Sequence, residues 1–204
     1  MKKALIALLA LAPLFVQAQD NTWEKPQSSA ATAANPDAKY LGGAVTEVDG
    51  RVVFQTTVKA PGKSKQQIHD LLLDFMTKLT KEPNQFEQSR IVLDGKENGD
   101  QVVGSYQEWL VFKNKPLNLD RTRLFYHLIA DCSDGEATVR MTRINYLYDE
   151  ERDPQTYLAE DWITDRYGLN KSKTKLARVS GKFRRKTIDR KDYLFAQIEA
   201  LLQQ

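Results

Sequence analysis

Arg121, Arg123, Phe125 and His127 alternate along one stretch, a spacing that turns two guanidinium groups, a ring and an imidazole to the same side of a strand. Such a surface suits a peptide, glycan or lipid headgroup, with the anionic part paired to arginine and the apolar part on Phe125 and Ile129. The plainer alternative is that Arg121 and Arg123 pair with acids such as Glu108 or Asp120 while Tyr40 to Val48 or a loop covers Phe125 and Ile129. A second cationic group, Lys182-Phe183-Arg184-Arg185-Lys186, has the composition to hold phosphates of envelope lipids or other polyanions, with Arg184 and Arg185 as its candidate ligands.

Catalytic chemistry finds less support. A nucleophile needs a base beside it, and the only imidazoles are His69 and His127. Asp131 shares a strand face with His127 but lies four residues on, about 13 Å along an extended chain, too far to orient it. Gly104-Ser105-Tyr106 lacks the second glycine of a nucleophile elbow. Pro61-Gly62-Lys63-Ser64 imitates a phosphate-binding loop, yet Thr57 stands where its first glycine belongs, and Ser64 with Gln67 is sufficiently explained as a helix capping box. His69 falls off the apolar stripe of that helix and reads as a solvated histidine. Cys132, the single cysteine, lies on an apolar strand face and reads as a buried, inert thiol. Asp149, Glu150, Glu151 and Asp153 fit no calcium-loop spacing, and neither zinc-ligand nor dinucleotide-binding spacing occurs. No metal, cofactor or catalytic residue is therefore assigned. Two carboxylates converging in space for glycoside hydrolysis remain the one enzymatic alternative.

Charge is unevenly distributed. The whole chain carries a formal +3, but 171–191 alone holds ten basic residues and one acid, Asp189. Much of the opposing charge sits just upstream, from Asp149 to Asp165, and mutual neutralisation within the fold is the ordinary reading. The chain opens with Lys2, Lys3 and an apolar run from Ala4 to Val16, the pattern of a secretory signal peptide cut after Ala18. Export to the periplasm or beyond is expected, with no transmembrane segment and, on compartment grounds, no nucleic-acid partner. Residues 19–39 are rich in Ala, Ser, Asn, Gln and Pro, with Trp23 as the one large apolar group, which predicts a flexible tether. A single domain, 40–204, follows.

The elements that must position these groups are legible from period and turn chemistry. Leu124, Tyr126, Leu128, Ala130 and Cys132 alternate on one face, Ala137, Val139 and Met141 repeat the pattern, and Asp134-Gly135 between them marks a hairpin. A two-residue turn pairs Cys132 with Ala137, Ala130 with Val139 and Leu128 with Met141. Ile144, Tyr146 and Tyr148 then take the opposite parity, so one extra residue near Thr142 or Arg143, a β-bulge, is required to bring them back inside. Upstream, Val52 to Lys59 reads as a strand, and Ile68, Leu71, Leu72, Phe75 and Leu79 as a helical stripe ending before Pro83. Ser89 to Leu93 and Gln101 to Phe112 read as strands, with Lys113 to Asp120 as a crossing to the hairpin. Downstream, a short helix is expected over 159–167, irregular chain over 170–186 and a closing helix over 187–202. The sum is an α+β fold, one twisted antiparallel sheet with two principal helices packed on one face.

Tyr40-Leu41 with Gly43-Ala44-Val45, Glu108-Trp109-Leu110-Val111-Phe112, Leu119-Asp120-Arg121-Thr122-Arg123, Arg143-Ile144 with Tyr146-Leu147-Tyr148, Trp162-Ile163-Thr164-Asp165 and Gly181-Lys182-Phe183-Arg184-Arg185 follow one another in an order and spacing that are together specific. On these strings, and on Pro61-Gly62-Lys63-Ser64, the chain resembles a family of exported bacterial proteins, a domain of unknown function with a TATA-binding-protein-like (TBP-like) fold. The resemblance spans the domain from about Tyr40 and implies a β-α-β-β-β-β-α order and export. It brings no established activity or catalytic residues, and a shared fold does not transfer function. The reading is a monomeric, exported, non-catalytic binding or interaction module of the cell envelope, whose partner is an envelope protein, peptide, glycan or lipid headgroup. Polyanion or lipid-headgroup binding through 171–191 is the alternative.

Overall fold

The computed structural model of the protein describes residues 20–24, 35–97 and 100–204, so the expected leader, 1–18, lies outside the described residues. The strands are β1 (Glu47–Val48), β2 (Arg51–Lys59), β3 (Arg90–Leu93), β4 (Gln101–Lys115), β5 (Asn118–Ser133), β6 (Glu136–Tyr148) and β7 (Gln155–Leu158); the helices are α1 (Lys65–Leu79) and α2 (Gly181–Leu202). All strands join one antiparallel sheet in the order β1-β2-β6-β5-β4-β3, with β7 pairing the far end of β6. The main sequence of strand, helix, four strands, helix is as expected; β1 and β7 are short additions. Both helices pack over the face that carries Leu128 and Met141, each fully buried.

The central hairpin has the anticipated register, Cys132 opposite Ala137, Ala130 opposite Val139 and Leu128 opposite Met141. Its bulge falls where the parity changes. Phe125 pairs with Asn145 and His127 with Thr142, and the surplus residue, Arg143, takes φ +54°. Ile144 and Tyr146 thereby return to the buried face. Gly135, at φ +76°, supplies the left-handed turn conformation at no steric cost.

α1 begins with the capping box. The Gln67 amide donates to the Ser64 hydroxyl and the Ser64 amide donates to the Gln67 side chain at 2.8 Å, worth about 1 kcal/mol. Its buried stripe is Ile68, His69, Leu72, Met76 and Leu79, rotated slightly from the predicted one, and His69 is fully buried rather than solvated. The imidazole spans Asp70 Oδ1 at 2.9 Å and the Asp94 carbonyl at 2.5 Å, fastening α1 to the loop after β3.

Four expectations are corrected. Lys113 to Asp120 is no crossing: β4 and β5 run on as a hairpin to Lys115 opposite Asn118, with Leu117 at φ +63° and fully exposed at the tip. The helix over 159–167 shrinks to one 3-10 turn, Ala159–Asp161, which still buries Ile163. α2 starts at Gly181, six residues before Thr187, because Phe183, Thr187 and Ile188 continue the apolar face of Leu194 and Ile198. Last, the start of the predicted tether is docked. Asn21 accepts from the Val111 amide at 2.9 Å and donates to the Val111 carbonyl at 2.8 Å, while Trp23 is buried. One side-chain amide thus substitutes for a neighbouring strand.

Candidate functional site

The uncovered face of the sheet is built by the residues that alternate with the core. Strand register aligns Val53, Thr142, His127, Ser105 and Arg90 in one row across β2, β6, β5, β4 and β3. Gln55, Arg140, Ile129 and Val103 form the next row, and Phe125 with Gln107 lies on the other side. Helices cover the opposite face, and Phe125, His127 and Ile129 are half-buried. Burial, and then the charge of Arg143, hold the His127 pKa below the ordinary imidazole value near 6.5.

The predicted cations divide sharply. Arg121 and Arg123 do reach this face, but both are already engaged. The Arg121 guanidinium stacks over Trp109 at 3.7 Å and donates to Glu151 at 3.2 Å. Arg123 stacks over Phe86 at 3.9 Å and forks onto Glu150. The expectation that they pair with Glu108 or Asp120 is corrected as well: those acids serve α2. Two cations that sequence reasoning passed over stand in their place. Arg143, pushed outward by the bulge, and Arg90, opposite Ser105, are exposed and have no ion pair among the described residues. The signal for Arg143 was the parity break itself, since the extra residue of a bulge must point away from the ladder.

Arg184 and Arg185 belong to the framework. Arg184 is wholly buried, donating to the carbonyls of Tyr40 at 2.6 Å, Ile163 at 2.7 Å and Leu41 at 2.7 Å and to Asp165 at 2.7 Å. Burial lowers its pKa, and Asp165 partly restores it. A wholly buried side chain with four of its five donors already spent within the fold is a framework group and not an open ligand site. Arg185 donates to Asp37 at 2.5 Å beside the Tyr40 ring. Lys182 pairs with Asp120 at 2.7 Å, and Lys186 with Glu24.

Between the β4–β5 tip and the loop after β6 lies a cleft of about 310 Å³ lined by acids, including Asp120, Asp149, Glu150 and Glu151. Each has a cation: Lys182 for Asp120, Arg152 for Asp149, Arg123 for Glu150 and Arg121 for Glu151. Cys132 is buried and its thiol is pushed up to about 11 by burial and by Asp131, which leaves it protonated and unreactive at neutral pH. Among the described residues no three His, Cys, Asp or Glu side chains gather as metal ligands, and no helix is long and apolar enough to cross a membrane.

Comparison with known proteins matches residues 54–147 to the model of a domain of unknown function (DUF4468) with TBP-like fold. The crystal structure of a DUF4468 family protein from Bacteroides ovatus is similar at 41% identity and a TM-score of 0.76, over 82% of this chain and 95% of that one. A TBP-like protein from Parabacteroides distasonis shares the fold at 22% identity and a TM-score of 0.63, over 78% and 96%. No curated protein matches the chain.

Proposed function

Because the chain belongs to the DUF4468 family of domains of unknown function with a TBP-like fold, which prescribes no activity, we propose from its own geometry that it is a non-catalytic binding module. Its open sheet face receives an extended acidic polypeptide segment. The observation that carries this reading is the row from Thr142, beside the bulged Arg143, past His127 and Ser105 to Arg90. Among the described residues, two exposed cations without an ion pair stand three strand spacings apart, about 14 Å, and no carboxylate lies on the floor between them. Phe125 on one side and Ile129 with Val103 on the other offer apolar contacts for flanking side chains. Arg143 strengthens the case because it occupies a left-handed conformation that glycine would adopt without penalty, so the arginine is kept at a cost of about 1 kcal/mol.

The module works as an exported monomer of the cell envelope. The leader-like segment 1–18 supports export, and intact mass of the protein recovered from an exporting bacterium is expected to begin at Gln19. Retention of the full chain inside the cell would oppose it.

Arg143→Gly separates the site from the fold. We expect it to melt at or above the wild-type temperature while its affinity for acidic amphipathic peptides falls about tenfold, and Arg90→Ala to weaken binding similarly without altering the melt. Amide chemical-shift mapping with acidic and charge-reversed peptides provides the readout. Binding should tighten as pH falls through the His127 pKa, since an acidic partner prefers the imidazolium. A footprint on the helical layer, or equal binding by Arg143→Gly, would remove the proposal.

A further inference from the structure

The basic segment that the sequence presents as one block divides at Gly181. Beyond it, each of the six cations from Lys182 to Lys191 has a carboxylate partner. Before it, Arg166, Lys171, Lys173, Lys175 and Arg178 have none among the described residues, and 166–179 contains no acid. Internal neutralisation therefore accounts for α2 and leaves five charges over.

These five are displayed on an ordered arm. The Ala177 amide donates to the Gly168 carbonyl and the Asn170 amide to the Lys175 carbonyl, both at 2.9 Å, with Leu169 opposite Leu176. Asn170 closes the turn by accepting from the Thr174 and Lys175 amides at 2.9 and 3.1 Å. Leu169 is buried, and Ser180 donates to the Tyr167 carbonyl at 2.6 Å, fixing the base. Held by these bonds, the arm turns Lys171, Lys173 and Lys175 outward, Lys173 at φ +55°. At the base, Val179 is 56% exposed and Tyr167 38% exposed, with the Arg166 guanidinium 5.1 Å from the Tyr167 ring.

We infer that this arm binds the anionic headgroups of a membrane surface, lysines over the phosphates and Tyr167 with Val179 at the headgroup boundary. Point-charge ammonium groups without a fixed fork suit a diffuse field of phosphates more than one oriented carboxylate. An exposed aromatic and a β-branched residue among cations suit the boundary between headgroup and acyl chain, whereas a soluble polyanion offers them nothing to enter. The arm lies outside the row across the open sheet face, so the two surfaces are testable apart.

The experiment is sedimentation of the purified protein with vesicles of phosphatidylcholine and of phosphatidylcholine mixed with phosphatidylglycerol. Binding is expected only with the anionic lipid, falling steeply as salt is raised through the range where the screening length drops below about 8 Å. Changing Lys171, Lys173 and Lys175 together to Gln should weaken it roughly a hundredfold with the melt unchanged, since each contributes about fivefold. The Arg90→Ala, Arg143→Gly protein should bind vesicles as wild type does. Equal binding to neutral vesicles, salt-insensitive binding by the wild-type protein, or tight binding to soluble polyphosphate with none to vesicles would overturn the inference.

Discussion

Glu108→Ala is expected to lower folding stability by about 3–5 kcal/mol, read as a large drop in the urea midpoint. Glu108 sits at 0% exposure between Tyr106 and Leu110 on the core face of β4, and it is the counterion of the equally buried Arg190. Arg190 donates from Nε at 2.8 Å and Nη2 at 2.7 Å to the two oxygens of Glu108, and from Nη2 to Glu82 at 2.7 Å. Burial opposes charge on both partners and pushes the Glu108 carboxyl up, yet the carboxylates hold the Arg190 pKa above its usual value. The fork of two donors onto two oxygens is the geometry of an ionised pair, and it decides between these opposing tendencies. Removing the glutamate leaves a guanidinium in the core with Glu82 alone to answer it. Glu108→Leu combined with Arg190→Met should recover most of the loss, because an apolar pair needs no desolvation to be offset. A Glu108→Ala folding stability within about 1 kcal/mol of wild type would show that Glu82 alone suffices.

Arg184→Met is expected to cost a comparable amount, about 3–5 kcal/mol, by a different route. Its guanidinium is the common donor to two chain segments that have no strand pairing with each other, through Tyr40 and Leu41 on one and Ile163 and Asp165 on the other. Three carbonyls lose their donor, while the methionine fills most of the volume, so the loss reports hydrogen bonding more than packing. Arg184→Lys should not restore it, since a single ammonium on a flexible stem cannot span four acceptors. Limited proteolysis should then cut first within 35–45 or 159–169 while the sheet stays protected. Wild-type melting of Arg184→Met, or first cuts inside the sheet, would refute this role.

Those two arginines also mark the limit of what the sequence disclosed. The central hairpin, its bulge and the capping box were legible because each is fixed by neighbours a few residues away: alternation, Asp134-Gly135, the parity change at Arg143, Ser64 with Gln67. Arg184 and Arg190 were not, because their acids lie 19 and 82 residues distant and helical twist alone decides which members of a basic run turn inward. Starting α2 at Thr187 hid that twist from Lys182 to Lys186. One clue was present: Glu108 at an inner parity demands a buried cation. The docking of Asp20 to Glu24 had no such clue beyond Trp23, since one asparagine side chain makes both bonds to Val111.

That asparagine finishes a sequence of covers along the outer side of β4. β3 takes the first part of the strand, the Phe86 amide donates to the Gln107 carbonyl at 2.8 Å, the Trp109 amide donates to the Asn84 carbonyl at 2.9 Å, and Asn21 takes Val111. A long rim of sheet, otherwise a template on which a foreign strand or a second copy could zip, is blunted by fragments of the protein's own chain. Self-propagating stacking is thereby discouraged, and a visitor must approach broadside, onto the pleated surface, instead of lengthening the ladder.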